Sequence, residues 1–204
     1  MDRKIKNIVF DLGGVLIDWD PLYVFENYFE SKEKLNFFMS EICNDDWNAE
    51  QDSGKSIVDG TRDLITKYPK WEGAIRDYYG RWTDMLKGEI EPTVNILESI
   101  KKSNQYRVLS LTNWEASLFQ IALVRYGFLS WFEGIVVSGI EKVCKPNPKI
   151  YKILLNRYQL IPEETLFIDD RKQNVEAAKS LKIQTIHYSS PEQLKKTLLK
   201  SGIL

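Results

Sequence analysis

Five short apolar runs, each cut off at polar residues or a turn, limit what this chain can fold into. Residues 5–10 end at Asp11, 108–111 at Thr112-Asn113, 135–137 at Ser138-Gly139 and 166–168 at Asp169-Asp170, and 185–188 form the fifth run. Runs of this length, apolar at nearly every position and rich in β-branched residues, read as strands buried on both faces. Helical stripes lie between the later ones. Val94, Leu97 and Ile100 share one face, as do Leu118 and Ala122, then Ile150, Ile153 and Leu154, then Val175, Ala178 and Leu181, with Ala177 alongside. Strand and helix in alternation predict an α/β fold, a doubly wound parallel sheet of five strands with helices on both faces.

Residues 15–88 break that rhythm and contain no convincing strand. Leu22, Phe25 and Phe29 fall on one helical face, and Leu35, Phe38, Met39 and Ile42 on another. A weaker pattern runs over 57–65, and Ile75, Tyr78, Tyr79, Trp82 and Leu86 make a last strong one. Four amphipathic helices inserted after the first strand are the simplest account. The expected division is therefore a core of 1–14 plus 89–204 and a helical insertion of 15–88. The final basic stretch, from Pro191, reads as an amphipathic helix with its lysines solvated.

Composition narrows the function. With 28 Lys+Arg against 29 Asp+Glu the net charge is -1, without the basic excess of a nucleic-acid binder. No apolar run approaches the ~18 residues that span a bilayer, so no membrane partner is expected. Met1-Asp2-Arg3-Lys4 leads straight into the first run and does not resemble a signal peptide. Cys43 and Cys144 lack disulfide-framework or metal-ligand spacing, which makes a reducing cytoplasm the expected setting. A single histidine, His187, excludes His-cluster zinc sites and disfavours a Ser-His-Asp hydrolase.

In open parallel sheets ligands bind beyond the carboxyl ends of the strands. Those ends carry Asp11 with Gly13-Gly14, then Thr112 and Asn113, then Lys145, then Asp169 and Asp170. Three carboxylates in one crevice raise one another's pKa unless a cation sits among them. Oxygen donors without His or Cys favour Mg²⁺. Mg²⁺, an ammonium, a hydroxyl and glycine backbone N–H groups together suit a phosphate.

The strings are also specific. Val9-Phe10-Asp11-Leu12-Gly13-Gly14-Val15-Leu16, Ser110-Leu111-Thr112-Asn113, Lys145-Pro146-Asn147-Pro148 and Phe167-Ile168-Asp169-Asp170 (with Asn174 after it) resemble, in order, the four motifs of the haloacid-dehalogenase-like hydrolase superfamily. They cover nearly the whole chain, and the helical insertion resembles that family's small cap. Residues 47–52 resemble a cap segment of the branch with a DLGGV first motif.

The resemblance implies roles residue by residue. Asp11 is the nucleophile, forming a covalent aspartyl intermediate, and a metal ligand. The Gly13 carbonyl and Asp170 are further Mg²⁺ ligands, with Asp169 coordinating or holding a water of the ion. Thr112, Asn113, Lys145 and the Gly13-Gly14 backbone hold the phosphoryl group, and Lys145 neutralises Asp11. The implied activity is Mg²⁺-dependent hydrolysis of a small phosphorylated metabolite, a sugar phosphate or similar, by a monomer or homodimer.

One position departs from the family. Most of its phosphatases carry a second Asp two residues after the nucleophile, as general acid and base; this chain has Gly13. Substrates with good leaving groups, or a proton from elsewhere, would accommodate that; Asp18, Asp20, Asp45 and Asp46 are candidates. Metal-independent 2-haloacid dehalogenases of the superfamily also lack the second Asp, but they lack the paired acids that this chain has at 169–170. A binding protein that has lost turnover is the third alternative, though it would have no need of a nucleophile. Trp19, Trp47 and Trp114 are candidates to face the substrate. Asn174 is either part of the site or a clamp on the loop after Asp170. His187 is expected to be structural and Cys144 a packing residue.

Overall fold

The computed structural model describes residues 4–204; Met1, Asp2 and Arg3, on which the reading of the N-terminus partly rests, lie outside them. In chain order the strands are β1 (Asn7–Phe10), β2 (Ile17–Trp19), β3 (Leu86–Glu89), β4 (Arg107–Thr112), β5 (Gly134–Val137), β6 (Thr165–Asp169) and β7 (Gln184–His187). The five expected runs form one parallel sheet in the order β5-β4-β1-β6-β7. β1 lies at its centre with all four residues buried, which is why Ile8, Val9 and Phe10 run apolar without alternation.

Both faces of the sheet are covered. The helices between β2 and β3 are α1 (Leu22–Phe25), α2 (Lys32–Phe37), α3 (Asp45–Asp52), α4 (Ile57–Lys67) and α5 (Glu72–Gly80). Those after β3 are α6 (Glu91–Ser103), α7 (Ala116–Arg125), α8 (Ser138–Glu141), α9 (Pro148–Arg157), α10 (Lys172–Ser180) and α11 (Pro191–Lys200). On one face Val9, Leu109, Leu111, Val136 and Phe167 pack against Ile150, Tyr151 and Leu154 of α9 and Ala178 of α10. On the other, Ile8, Phe10 and Ile168 meet α6, α7 and α11 through Leu97, Ile100, Phe119, Leu194 and Leu198. Alternate residues of β1 thus feed two separate cores. On α11, Leu194 and Leu198 are buried while Lys195, Lys196 and Lys200 are exposed, as its pattern predicts.

The inserted segment differs from expectation in three ways. It is bounded by strands: β2 pairs antiparallel with β3, Ile17 opposite Glu89 and Asp18 opposite Gly88. Each is too short to show a period, and Leu86 belongs to β3 rather than to the last helix. That helix, α5, stops at Gly80, and Trp82 sits on the 3₁₀ turn Trp82–Met85. The second helical stripe is also divided, because α2 ends at Phe37 and a π-helical turn, Phe38–Ile42, follows. Lastly, α3 joins the four expected helices as a fifth. Its sequence is polar, and only Trp47 and Gln51 are buried. Its start is fixed by the Asn44 side chain, which accepts from the Trp47 N–H at 2.8 Å. An aromatic cluster of Phe25, Phe29, Phe38, Trp71 and Tyr78 holds the other helices together.

Candidate active site

Because the strands are parallel, their carboxyl ends emerge side by side, and the chemistry collects there. Asp11 follows β1 directly, Thr112 ends β4 and Asp169 ends β6. Lys145 reaches them from the loop after α8. Its side chain is 1% exposed, and its Nζ donates to Asp11 Oδ2 at 2.8 Å, Asp169 Oδ2 at 2.7 Å and the Leu111 carbonyl at 2.9 Å. All three protons of the ammonium are used. Burial alone would depress its pKa, but Asp11 and Asp169 outweigh that and hold it above the ordinary lysine value.

One oxygen from each of Asp11, Asp169 and Asp170 lies within 4.8 Å of the others. The three are not equivalent. Asp169 is fully buried, and besides Lys145 it accepts from the Arg171 N–H at 2.8 Å and from Asn174 Nδ2 at 3.0 and 3.1 Å. It organises the cluster. Asp11 and Asp170 line the cavity above. Burial pushes Asp11 up to about 8 against the pull of Lys145, with Asp169 and Asp170 adding to the rise. Burial, then Asp169, also raises Asp170. One ammonium among three carboxylates leaves negative charge over, and hard oxygen donors with that excess suit a divalent cation such as Mg²⁺.

The remaining motif residues divide into holders and liners. Asn113 lines the cavity, but its side chain pairs with the Lys145 backbone, accepting from the N–H at 2.8 Å and donating to the carbonyl at 3.0 Å. Asn147 caps α9 by accepting from the Lys149 N–H, with Pro148 at the first helical position. Asn174 is the clamp on Asp169, and its own carbonyl is held by the Tyr151 hydroxyl at 2.9 Å. His187 Nε2 bonds the Asp170 carbonyl at 2.8 Å, a structural role for the only histidine. Thr112 is fully buried at the end of β4 and is not among the residues lining the cavity; among the described residues its hydroxyl has no hydrogen-bond partner.

The two glycines differ from the expected pair of phosphate donors. Gly14 N–H donates to the Ile17 carbonyl at 2.9 Å, so it is already committed. What position 14 requires is conformation and room: φ is +73°, and a Cβ there would stand 2.6 Å from Asp170 Oδ2. Gly14→Ala is therefore expected to displace Asp170, weakening Mg²⁺ binding measured by calorimetry and lowering stability by about 1–2 kcal/mol. Gly13 lines the cavity, and a Cβ there would meet nothing within 4 Å.

The cavity holds about 240 Å³ and is roofed by the inserted segment. Asp45, Asn48, Ala49 and Asp52, spaced i, i+3, i+4, i+7 on α3, face into it, joined by Tyr79 and Trp82. Trp19 and Trp114 line it as expected. Trp47 does not; it packs on Tyr78 and Tyr79 and donates its Nε1–H to the Gly60 carbonyl. Of the acids proposed to replace the one missing at Gly13, only Asp45 reaches the lining, where it pairs with Arg171 at 3.1 Å. Asp18 accepts from the Tyr23 hydroxyl and Asp20 from the Leu22 N–H, and Asp46, exposed on α3, does not line the cavity. The liners to which the sequence assigned no site role are Asn48, Ala49, Asp52, Tyr79, Trp82, Glu115, Leu118 and Arg171. The signal for α3 was a polar stripe at helical spacing.

The arrangement is a charged floor of carboxylates and one lysine beneath an aromatic and polar roof, in a chain that is similar to known proteins. A phosphorylated carbohydrates phosphatase from Thermotoga maritima is 26% identical over 184 residues, covering 90% of this chain and 84% of that protein. A D-ribitol-5-phosphate phosphatase from Bacteroides thetaiotaomicron is 25% identical over 191 residues, covering 89% and 90%. A HAD family enzyme from Bacteroides thetaiotaomicron, solved as its magnesium complex, superposes with a TM-score of 0.74 at 25% identity, over 96% of this chain and 99% of that one. The haloacid dehalogenase-like hydrolase family matches residues 5–182, taking in all four strand ends and the inserted helices. On that match and that geometry, the chain belongs to the haloacid dehalogenase-like hydrolases.

Proposed function

We propose that the protein is a Mg²⁺-dependent phosphatase acting on a small phosphate monoester through an aspartyl-phosphate. The observation that carries this is the pairing of a lysine-held Asp11 with Asp170, both lining one cavity and adjoining a third, fully committed acid. A carboxylate attacking an uncharged carbon needs no cation partner; three clustered carboxylates facing a phosphate dianion do. The phosphatase names of the relatives support the same reading.

Asp11 attacks phosphorus in line, the ester P–O bond breaks, and the alcohol leaves with a proton. Water then attacks phosphorus, gives up a proton, and frees Asp11 and inorganic phosphate. Lys145 fixes Asp11 and neutralises it, and the Thr112 hydroxyl orients a phosphoryl oxygen. Asp11, Asp170 and the Gly13 carbonyl would hold Mg²⁺, with Asp169 behind them; when bound, the ion supplies charge for the phosphoryl oxygens. We assign residues 15–88 to a cap over a core of 1–14 plus 89–204, with the β2–β3 pair at the junction. The cap excludes water and selects a substrate small enough for the cavity. No helix among the described residues is long and apolar enough to cross a membrane.

The test is product release from a panel of sugar, acyl and nucleotide phosphates plus 2-chloropropionate, each with Mg²⁺ and with EDTA, assaying phosphate and halide in parallel. Phosphate release that requires Mg²⁺ is the expected result. Halide release that survives EDTA would establish the dehalogenase alternative.

A further inference from the structure

The first chemical step needs a proton at the leaving oxygen, and the second needs one removed from water. Most acids on the cavity wall are occupied. Asp11 is fixed by Lys145, Asp45 by Arg171, and Glu115 caps α7 by accepting from the Ser117 and Leu118 N–H groups at 2.8 and 2.9 Å. Asp170 adjoins Asp11 as a proposed Mg²⁺ ligand, and Gly13 offers no side chain. Among the described residues Asp52 is the carboxyl on the wall with neither a paired cation nor a capping duty, and it accepts from the Glu115 N–H.

Asp52 is also well placed. It projects from the cavity face of α3, and that helix is tied to the core near both ends. At the start Asp45 pairs with Arg171 at 3.1 Å. Just past its end the Ser53 hydroxyl meets Cys144 Sγ at 3.1 Å, one residue from Lys145. The carboxyl itself is oriented by a relay: the Tyr79 hydroxyl donates to Asn48 Oδ1 at 3.0 Å, and Asn48 Nδ2 donates to Asp52 Oδ2 at 3.1 Å. An acid held this way on the inserted helix lines the same small cavity as the nucleophile.

We propose that Asp52 is the catalytic acid and base of the site, giving its proton to the leaving alkoxide and recovering one from the attacking water. This rests on the phosphatase reading. The groups facing Asp52 are Glu115 before α7, Arg171 after β6, Cys144 and Lys145 before α9, and Tyr78 and Tyr79 on α5. Burial first and the Glu115 charge second push Asp52 up to about 7, with Arg171, the hydrogen bond from the Glu115 N–H and Lys145 opposing. It therefore holds and releases a proton near neutrality, where general catalysis is most effective.

The experiment compares wild type, Asp52→Asn and Asn48→Ala on two substrates: the best alkyl phosphate of the panel and p-nitrophenyl phosphate, whose phenolate leaves without a proton. Folding of each variant is checked by circular dichroism. Asp52→Asn is expected to lower kcat/KM, which reports formation of the aspartyl-phosphate and not its shared hydrolysis, by about 10²–10⁴-fold on the alkyl phosphate and by less than about tenfold on the aryl ester. For wild type, kcat/KM on the alkyl phosphate falls as pH rises through about 7, and Asp52→Asn abolishes that limb. Asn48→Ala, which removes one of the two donors that orient the carboxyl and leaves the Glu115 N–H, loses less and again only on the alkyl ester. Equal losses on both substrates, a change in KM alone, or an unchanged pH limb would overturn the proposal. No wild-type turnover on either substrate would overturn the phosphatase reading, and this proposal with it.

Discussion

Asp11→Asn yields a folded protein whose phosphate release is below about one ten-thousandth of wild type. The amide has the shape of the carboxylate but cannot form the covalent intermediate, and removal of a nucleophile forfeits nearly the whole chemical advantage. The fold survives because Lys145 keeps two of its three acceptors, Asp169 and the Leu111 carbonyl. The sign of the stability effect is also fixed. A buried carboxyl raised from 3.8 to about 8 weakens the folded state progressively as pH rises between those two values. Asp11→Asn therefore gains stability relative to wild type as pH rises from about 4 to about 8 in metal-free buffer, and the gain levels off above that. Thermal unfolding across that window, with the phosphate assay, checks both statements.

Lys145→Met has the second large effect, and it acts on stability as well as turnover. The ammonium is shut from solvent between Asp11 and Asp169. Removing one partner of a buried ion network leaves the others uncompensated, at a cost of about 3–5 kcal/mol. Asp11, already raised by burial, loses the ammonium that opposes that rise, so the deficit grows with increasing pH. Urea unfolding at pH 6 and pH 9 measures it. Turnover falls at both pH values, because the nucleophile is no longer held. A deficit that shrinks as pH rises would contradict the role given to Lys145.

The floor of the site was legible in the sequence because its parts are local. A parallel strand buried on both faces appears as an unbroken apolar run, and whatever follows it lies at the carboxyl edge. Asp11, Thr112, Lys145, Asp169 and Asp170 could therefore be placed together without coordinates. The division of labour among them could not. That Asp169 is saturated while Asp170 is open depends on Asn174 and the Arg171 N–H. That Gly14 serves by conformation depends on where Ile17 returns.

The roof was less legible for a related reason. Its aromatic helices announce their own core, but α3 has almost no apolar side. The meaning of Asn48 and Asp52 comes from which surface lies opposite, and only tertiary packing decides that. β2 and β3 were invisible because each is stabilised by a partner some seventy residues away rather than by its own pattern.

The most direct test of the central claim is to trap the covalent intermediate. Wild-type protein with Mg²⁺ and its best phosphate ester is quenched in acid during turnover and digested, and the peptides are weighed. The expected result is a phosphoryl group on the peptide carrying Asp11, absent when Mg²⁺ is replaced by EDTA and absent in Asp11→Asn. Sustained phosphate release by Asp11→Asn, with no phosphorylated Asp11 peptide in the wild type, would contradict the account.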